Sequence, residues 1–378
     1  MNRSEINEIK KNILGDRLSI DRLSGCYVDY EKKKKALFHK SFGTLPEEET
    51  WKYYDIFRRT LSGTVGKNLL SLEFPMKEEE TGGAQEFLLT LRDSGLKEEE
   101  LIEELFERII ENYTDPENYY IVLAHGIYDI PGITKDRIEN DDASDNIFDF
   151  IICSICPVKL SKAGLSFDES KKTIAERKRD WVVDQPVKGF LFPAFIDRTG
   201  DIHNALYFTK KPADVQPGLF DALFKTMAPL SAPEQKETFQ TIIEDTIGED
   251  GDLRVVKNIH ELLSEMMIGS ADDPEPLEIG KKEIRQILED AGVSKEGMER
   301  FDTVFENATD EGDGIFTVAN VSDIKKMSIE SPDVVIRVKP DRADRVMPRV
   351  VEGKDCLLIE VDDHVEVNGI NVRTIFRK

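Results

Sequence analysis

The chain has 378 residues, 39% hydrophobic and 33% charged, with a formal net charge of −24. That balance suits a folded chain with a real core, and the acidity disfavours generic nucleic-acid binding by net charge. No apolar run approaches the roughly 20 residues that span a bilayer. The opening MNRSEINEIKKNIL lacks the apolar core of a secretory signal, and four cysteines without framework spacing suit a reducing cytoplasm.

The first 115 residues read as a mainly helical region. Thr44-Leu45-Pro46-Glu47 has the form of a capping box, and Trp51, Tyr54, Phe57 and Leu61 follow on one helical face. A cleaner helix carries Ile102, Leu105, Phe106, Ile109 and Ile110 among glutamates, until Asp115-Pro116 stops it. Residues 116–230 read as an α+β sheet core. Its strands are expected at Tyr119–Ala124, Phe148–Val158, Gly189–Ile196 and Ala205–Thr209. The variable linkers do not suit regular βαβ units, so a mixed or antiparallel sheet with flanking helices is expected. Pro193 places a bulge or an edge in the third strand, because proline cannot donate to a ladder.

Residues 231–326 read as an acidic helical region. It opens on a second capping box, Ser231-Ala232-Pro233-Glu234, and Gly292 closes one of its helices. Between 245 and 315 there are 20 acidic and 7 basic side chains, a net of −13. Residues 327–378 switch to period two and predict a small antiparallel β-meander. Its turns are expected at Glu352-Gly353 and at Asn368-Gly369.

The segment Gly189–His203 runs from apolar strand into a charged loop carrying Asp197, Arg198, Asp201 and His203. Asp and His at a strand end are the residue types of a divalent-metal site or of an acid–base pair. Alternatively, an Asp–Arg pair and a polar loop simply cap the strand. His125 ends the first predicted strand and lies near this loop if those strands pair. From Lys159 to Arg179 a basic stretch holds Lys159, Lys162, Lys171, Lys172, Arg177, Lys178 and Arg179 against three acidic residues, and reads either as solvated surface or as a local nucleic-acid-binding patch. Trp181 follows it, either as an anchor for a long connection or as a stacking platform for a base.

Two further motifs fail on inspection. Gly63-Thr64-Val65-Gly66-Lys67-Asn68 has Leu61 where a P-loop needs glycine and Asn68 where it needs Ser or Thr. Cys153 and Cys156 form a C-x-x-C inside an apolar strand pattern, where residues three apart point to opposite faces. Both cysteines therefore read as small buried hydrophobes. With no nucleophile elbow, H-E-x-x-H or dinucleotide glycine pattern, neither a cofactor nor a metal is expected.

Gly25–Asp29, Leu61–Leu70, Cys153–Val158, Asp180–Val183, Gly189–His203 and Asp363–Val372 together resemble an uncharacterised bacterial family defined by a domain of unknown function. That likeness covers nearly the whole chain and implies no catalytic residues. A remote second likeness, in the order of elements, is to the bacterial nucleoid-associated protein family. It rests on an acidic helix, aromatic strand Tyr119–Tyr128, strand Ile151–Leu160, a Trp-containing connection, Phe190–Ile202, helix Ser231–Ile247 and a final strand pair. It implies a cytoplasmic protein at the nucleoid, with DNA or DNA-processing proteins as partners.

The expectation is thus a cytoplasmic, non-catalytic interaction protein with a protein partner and no membrane contact. Its alternatives are a metal-dependent hydrolase or nuclease using Asp197, Asp201 and His203, and an acidic scaffold or nucleic-acid mimic for a basic partner.

Overall fold

The computed structural model describes residues 1–133, 139–248, 252–309, 314–323, 327–361, 365–367 and 369–372. Two compact units divide the chain, Met1–Pro233 and Glu234–Lys378. The architecture is α+β, as the patterning predicts, and the large sheet is antiparallel throughout.

In the first unit the elements run α1 (Arg3–Asn12), β1 (Leu18–Val28), β2 (Lys34–Ser41), α2 (Glu47–Thr60), β3 (Leu69–Glu73), α3 (Ala84–Asp93), α4 (Glu99–Asn112), β4 (Asn118–Ile133) and β5 (Glu139–Leu160). They continue with β6 (Leu165–Asp168), β7 (Thr173–Glu176), β8 (Trp181–Val183), β9 (Lys188–Phe192), β10 (Ala194–Ile196), β11 (Thr199–Asp201), β12 (Asn204–Thr209) and α5 (Pro217–Phe224). The sheet order is β2–β1–β4–β5–β9–β12–β3, with β8 paired to the end of β5. Residues 1–115, expected to be mainly helical, contribute three of these strands. The period-two signal fails there because β1 carries Asp21, Arg22, Ser24 and Gly25, and because β2 is a polar edge with no buried side chain.

Helices cover both faces of the sheet, so its central strands are apolar on both sides. Along β4 the odd positions Tyr119, Ile121 and Leu123 pack with Leu88 of α3 and Phe106 of α4. The even positions Tyr120, Val122, Ala124 and Tyr128 pack with Ile9 of α1 and Phe57 of α2. Alternation of side chains across a strand therefore sorts one continuous apolar run into two cores. The predicted face of α4 is buried as expected. The capping box at Thr44 does not form. The helix begins at Glu47 behind Pro46, and the Thr44 hydroxyl donates instead to the Ser41 carbonyl.

The second unit contains α6 (Ala232–Ile247), α7 (Leu253–Gly269), β13 (Glu278–Ile279), α8 (Lys281–Ala291), α9 (Lys295–Ala308), β14 (Phe316–Thr317) and α10 (Val318–Val321). Phe239, Ile259, Leu263, Ile284, Leu288, Phe301 and Phe316 make its core. Three hairpins form the C-terminal meander: β15 (Met327–Ser331) with β16 (Val334–Val338), β17 (Val346–Val351) with β18 (Lys354–Ile359), and β19 (Val365–Val367) with β20 (Ile370–Val372). Glu352 and Gly353 turn the second hairpin with φ of 53° and 76°, the positive values a two-residue hairpin turn requires. Asn368 of the predicted third turn lies outside the described residues. Among the described residues no helix is long and apolar enough to cross a membrane.

Candidate functional site

The loop singled out by sequence is a hairpin end. Pro193 terminates β9, and the chain re-forms as the ribbon β10–β11, closed by Asp197 and Arg198 at φ of 50° and 57°. Ala194 and Phe195 point into the core, where Phe195 packs on Tyr128 and Phe148. The turn is pinned to α1. Glu5 Oε1 accepts from the Asp197 backbone N–H at 2.9 Å, and Arg198 donates to Glu8 Oε1 at 3.0 Å and to the Pro131 carbonyl at 2.7 Å. Asp201 accepts from the His203 backbone N–H at 3.0 Å and from the Asn204 amide at 2.8 Å. His203 turns to Glu79, 2.7 Å away, and that hydrogen bond raises its pKa. The side chains of Arg198, Asp201 and His203 thus have separate neighbours, Asp197 is held through its backbone, and among the described residues no three His, Cys, Asp or Glu side chains converge as metal ligands.

His125 does not join that loop. It lies on the α3–α4 face of β4, whereas the 197–203 hairpin packs on the opposite face. Its Nδ1 is 2.6 Å from Asp21 Oδ1 on β1, and its Nε2 is 2.7 Å from Asp149 Oδ1 on β5. Burial alone lowers its pKa, but the hydrogen bonds to Asp149 and Asp21 and their charges outweigh burial and raise it to about 9. The imidazolium therefore bridges three strands. Asp21 reaches it because the β1–β4 register shifts between Ile20 and Arg22. Sequence reading missed this cluster: Asp21 and Asp149 are remote from His125 in the chain, and only strand register assembles them.

The basic stretch forms an extension of the sheet. Beyond the β5–β8 pair the two arms continue as the ribbon β6–β7, tied by hydrogen bonds from Ser161 N–H to the Asp180 carbonyl and from Arg177 N–H to the Gly164 carbonyl. Leu165 and Phe167 alternate with Ser166 and Asp168, and Phe167 faces Ile174 across the ribbon. Leu165, Phe167 and Ile174 share one face and are 76%, 62% and 60% exposed. At the base Trp181 pairs with Leu160 of β5 and is 57% exposed.

The seven cations divide between the two arms and the tip. Lys159 pairs with Glu117 at 3.1 Å, Lys171 lies 3.8 Å from Asp168, and Arg179 donates to the Ser161 carbonyl. Lys162, Lys172, Arg177 and Lys178 are exposed and make no ion pair among the described residues. The apolar alternation was present in the sequence as LSFD and TIAE, but four-residue strands are too short to announce themselves.

The two failed motifs stay structural. Cys153 packs in one core and Cys156 in the other, and burial raises both thiols far above their ordinary range. Residues 63–68 form a turn leading into strand β3, whereas a phosphate-binding loop opens a helix.

Fold and surface together define a two-unit α+β protein with an antiparallel sheet covered by helices and a basic, apolar-faced ribbon extending from it. The chain belongs to the family described as a domain of unknown function, DUF4317, whose model matches residues 1–370. No curated protein matches it. The family match supports the first of the two likenesses; the nucleoid-associated likeness has no such support.

Proposed function

We propose that the β6–β7 ribbon and β8 form a nucleic-acid interface with a preference for single strands. One observation carries this reading: large apolar side chains, Phe167 and Trp181 among them, are exposed on a hairpin that also presents four cations without an ion pair among the described residues. Aromatic faces open to solvent can stack on unpaired bases, while Lys162, Lys172, Arg177 and Lys178 neutralise phosphates. The net charge of −24 does not oppose this locally. Residues 245–315, with 20 acidic against 7 basic side chains, belong to the other unit, whereas Lys159–Arg179 itself holds seven basic against three acidic residues. A nucleoid setting in the cytoplasm follows from this reading, in line with the remote likeness in element order.

Fluorescence anisotropy with a labelled oligothymidylate tests it. Four phosphate contacts on a single strand give a log–log salt slope of about −3, so affinity should fall about 50-fold from 50 to 200 mM salt. Phe167→Ala and Trp181→Ala should each weaken binding about tenfold, at the low end of base-stacking energies. No binding at 50 mM salt, or affinity unchanged in Lys162→Glu/Arg177→Glu, rejects the proposal.

A further inference from the structure

The second unit holds a partly open cavity of about 430 Å³ between α6 and α7, bordered by α10 and β15. That volume falls in the range of roughly 300–1,000 Å³ typical of small-molecule pockets. Phe239 and Ile243 of α6, Ile259 of α7, Val321 and Met327 give it an apolar lining, and all five are buried. Two polar side chains interrupt that lining. His260 and Ser264 stand four residues apart on α7 and so share one helical face.

Both are without hydrogen-bond partners among the described residues, although Ser264 is only 7% exposed. A buried serine in a helix commonly returns its hydroxyl to the carbonyl four residues back. Thr241 does this to the Glu237 carbonyl, and Ser264 does not. Ser264 is buried and His260 is half-buried, and both line the cavity, so a ligand there can supply the partners that the protein does not. Burial, and then the charge of Lys236, hold His260 below its ordinary pKa. At neutral pH its imidazole therefore offers one N–H and one lone pair.

We propose that this cavity binds a small monocarboxylate with an apolar body. The carboxylate accepts from the Ser264 hydroxyl and the His260 N–H near Lys236, and the hydrocarbon fills the space between Phe239, Ile243 and Ile259. Lys236 lines the same cavity as His260 and Ser264, and its ammonium supplies the counter-charge for the anionic end. Glu244, Glu261 and Asp323 also line the cavity, and they select against a second carboxylate on the same ligand. Lys257 lines it too, with its ammonium donating to the Val346 carbonyl.

Isothermal titration of the full chain with octanoate, and separately with octylamine, tests this. The expected result is saturable one-to-one binding of octanoate and at least tenfold weaker binding of octylamine. Ser264→Ala should weaken octanoate about tenfold, and Ile243→Trp should abolish binding by filling the cavity. Where circular dichroism shows that Ile243→Trp does not fold, Ser264→Leu fills the same space from the opposite wall. Absence of octanoate binding, equal binding of octylamine, or octanoate binding that persists in a folded cavity-filled variant overturns the proposal.

Discussion

Replacing His125 with glutamine removes a positive charge from between two carboxylates, and the cost should depend on pH in a way that a packing loss does not. The folded imidazole titrates at about 9, against 6.5 for an ordinary histidine. At about 1.36 kcal/mol per unit, the full shift is worth about 3 kcal/mol. Asp21 and Asp149 are 46% and 41% exposed, so water screens both ends of the bridge. About 2 kcal/mol is then the working figure. The folded pKa lies above the unfolded one, so this contribution is complete below pH 6.5 and is lost as pH rises through about 9. Asp21 has the opposite sign. Burial opposes its ionisation, but the hydrogen bond from His125 outweighs burial and lowers its pKa. Its contribution is present above pH 3.8 and is lost as pH falls through the lower folded value.

The measurement has a built-in reporter. The two tryptophans, Trp51 and Trp181, both belong to the first unit, so their fluorescence in urea follows that unit. Wild type should exceed His125→Gln by about 2 kcal/mol at pH 6 and by less than about 0.5 kcal/mol at pH 10. A gap of equal size at both pH values would refute the electrostatic account and leave only shape and packing.

Three further substitutions probe other joints of the same unit. Lys188 is 1% exposed and donates to Thr209 Oγ1 at 2.9 Å, to Asp214 Oδ2 at 2.9 Å and to the Asp214 carbonyl. Lys188→Met should cost about 2 kcal/mol in the same urea assay, below the usual range for breaking a buried pair because Asp214 is half exposed. A Cβ at Gly189 would lie 2.4 Å from the Cys153 carbonyl oxygen and 2.6 Å from Thr60 Cγ2. Gly189→Ala should therefore destabilise by about 3 kcal/mol or more, read as a lower urea midpoint or insoluble protein, because neither the neighbouring strand nor α2 can yield cheaply. Arg198→Ala frees the hairpin turn from Glu8 and Pro131 and should cost about 1 kcal/mol, with circular dichroism unchanged.

What the sequence disclosed depended on whether one face of an element meets water. Helix α4 was legible because its buried residues recur at helical spacing among glutamates, and the meander because Glu352-Gly353 is a turn signal in its own right. Strands β4 and β5 were legible as apolar runs, but not in extent or in the division of their side chains between two cores. Strands β1 and β2 were hidden, one by polar residues at a register shift and the other by lying at the solvent-exposed sheet edge.

The same distinction separates the two charged features of the first unit. Asp197, Arg198, Asp201 and His203 are adjacent in sequence, and adjacency suggested a shared site. A two-residue turn reverses the chain between them, so the side chains of Arg198, Asp201 and His203 find α1, their own loop and Glu79 respectively. For the Lys159–Arg179 run, charge alone left a solvated surface and a nucleic-acid-binding patch both open, because it says nothing about what lies beside it. Pairing Phe167 with Ile174, and Leu160 with Trp181, sets exposed apolar surface among those cations. Exposed apolar area costs solubility unless something covers it, whereas a lysine-rich surface by itself costs nothing. The proposed interface rests on that combination, which arises from strand register and is not displayed by the linear sequence.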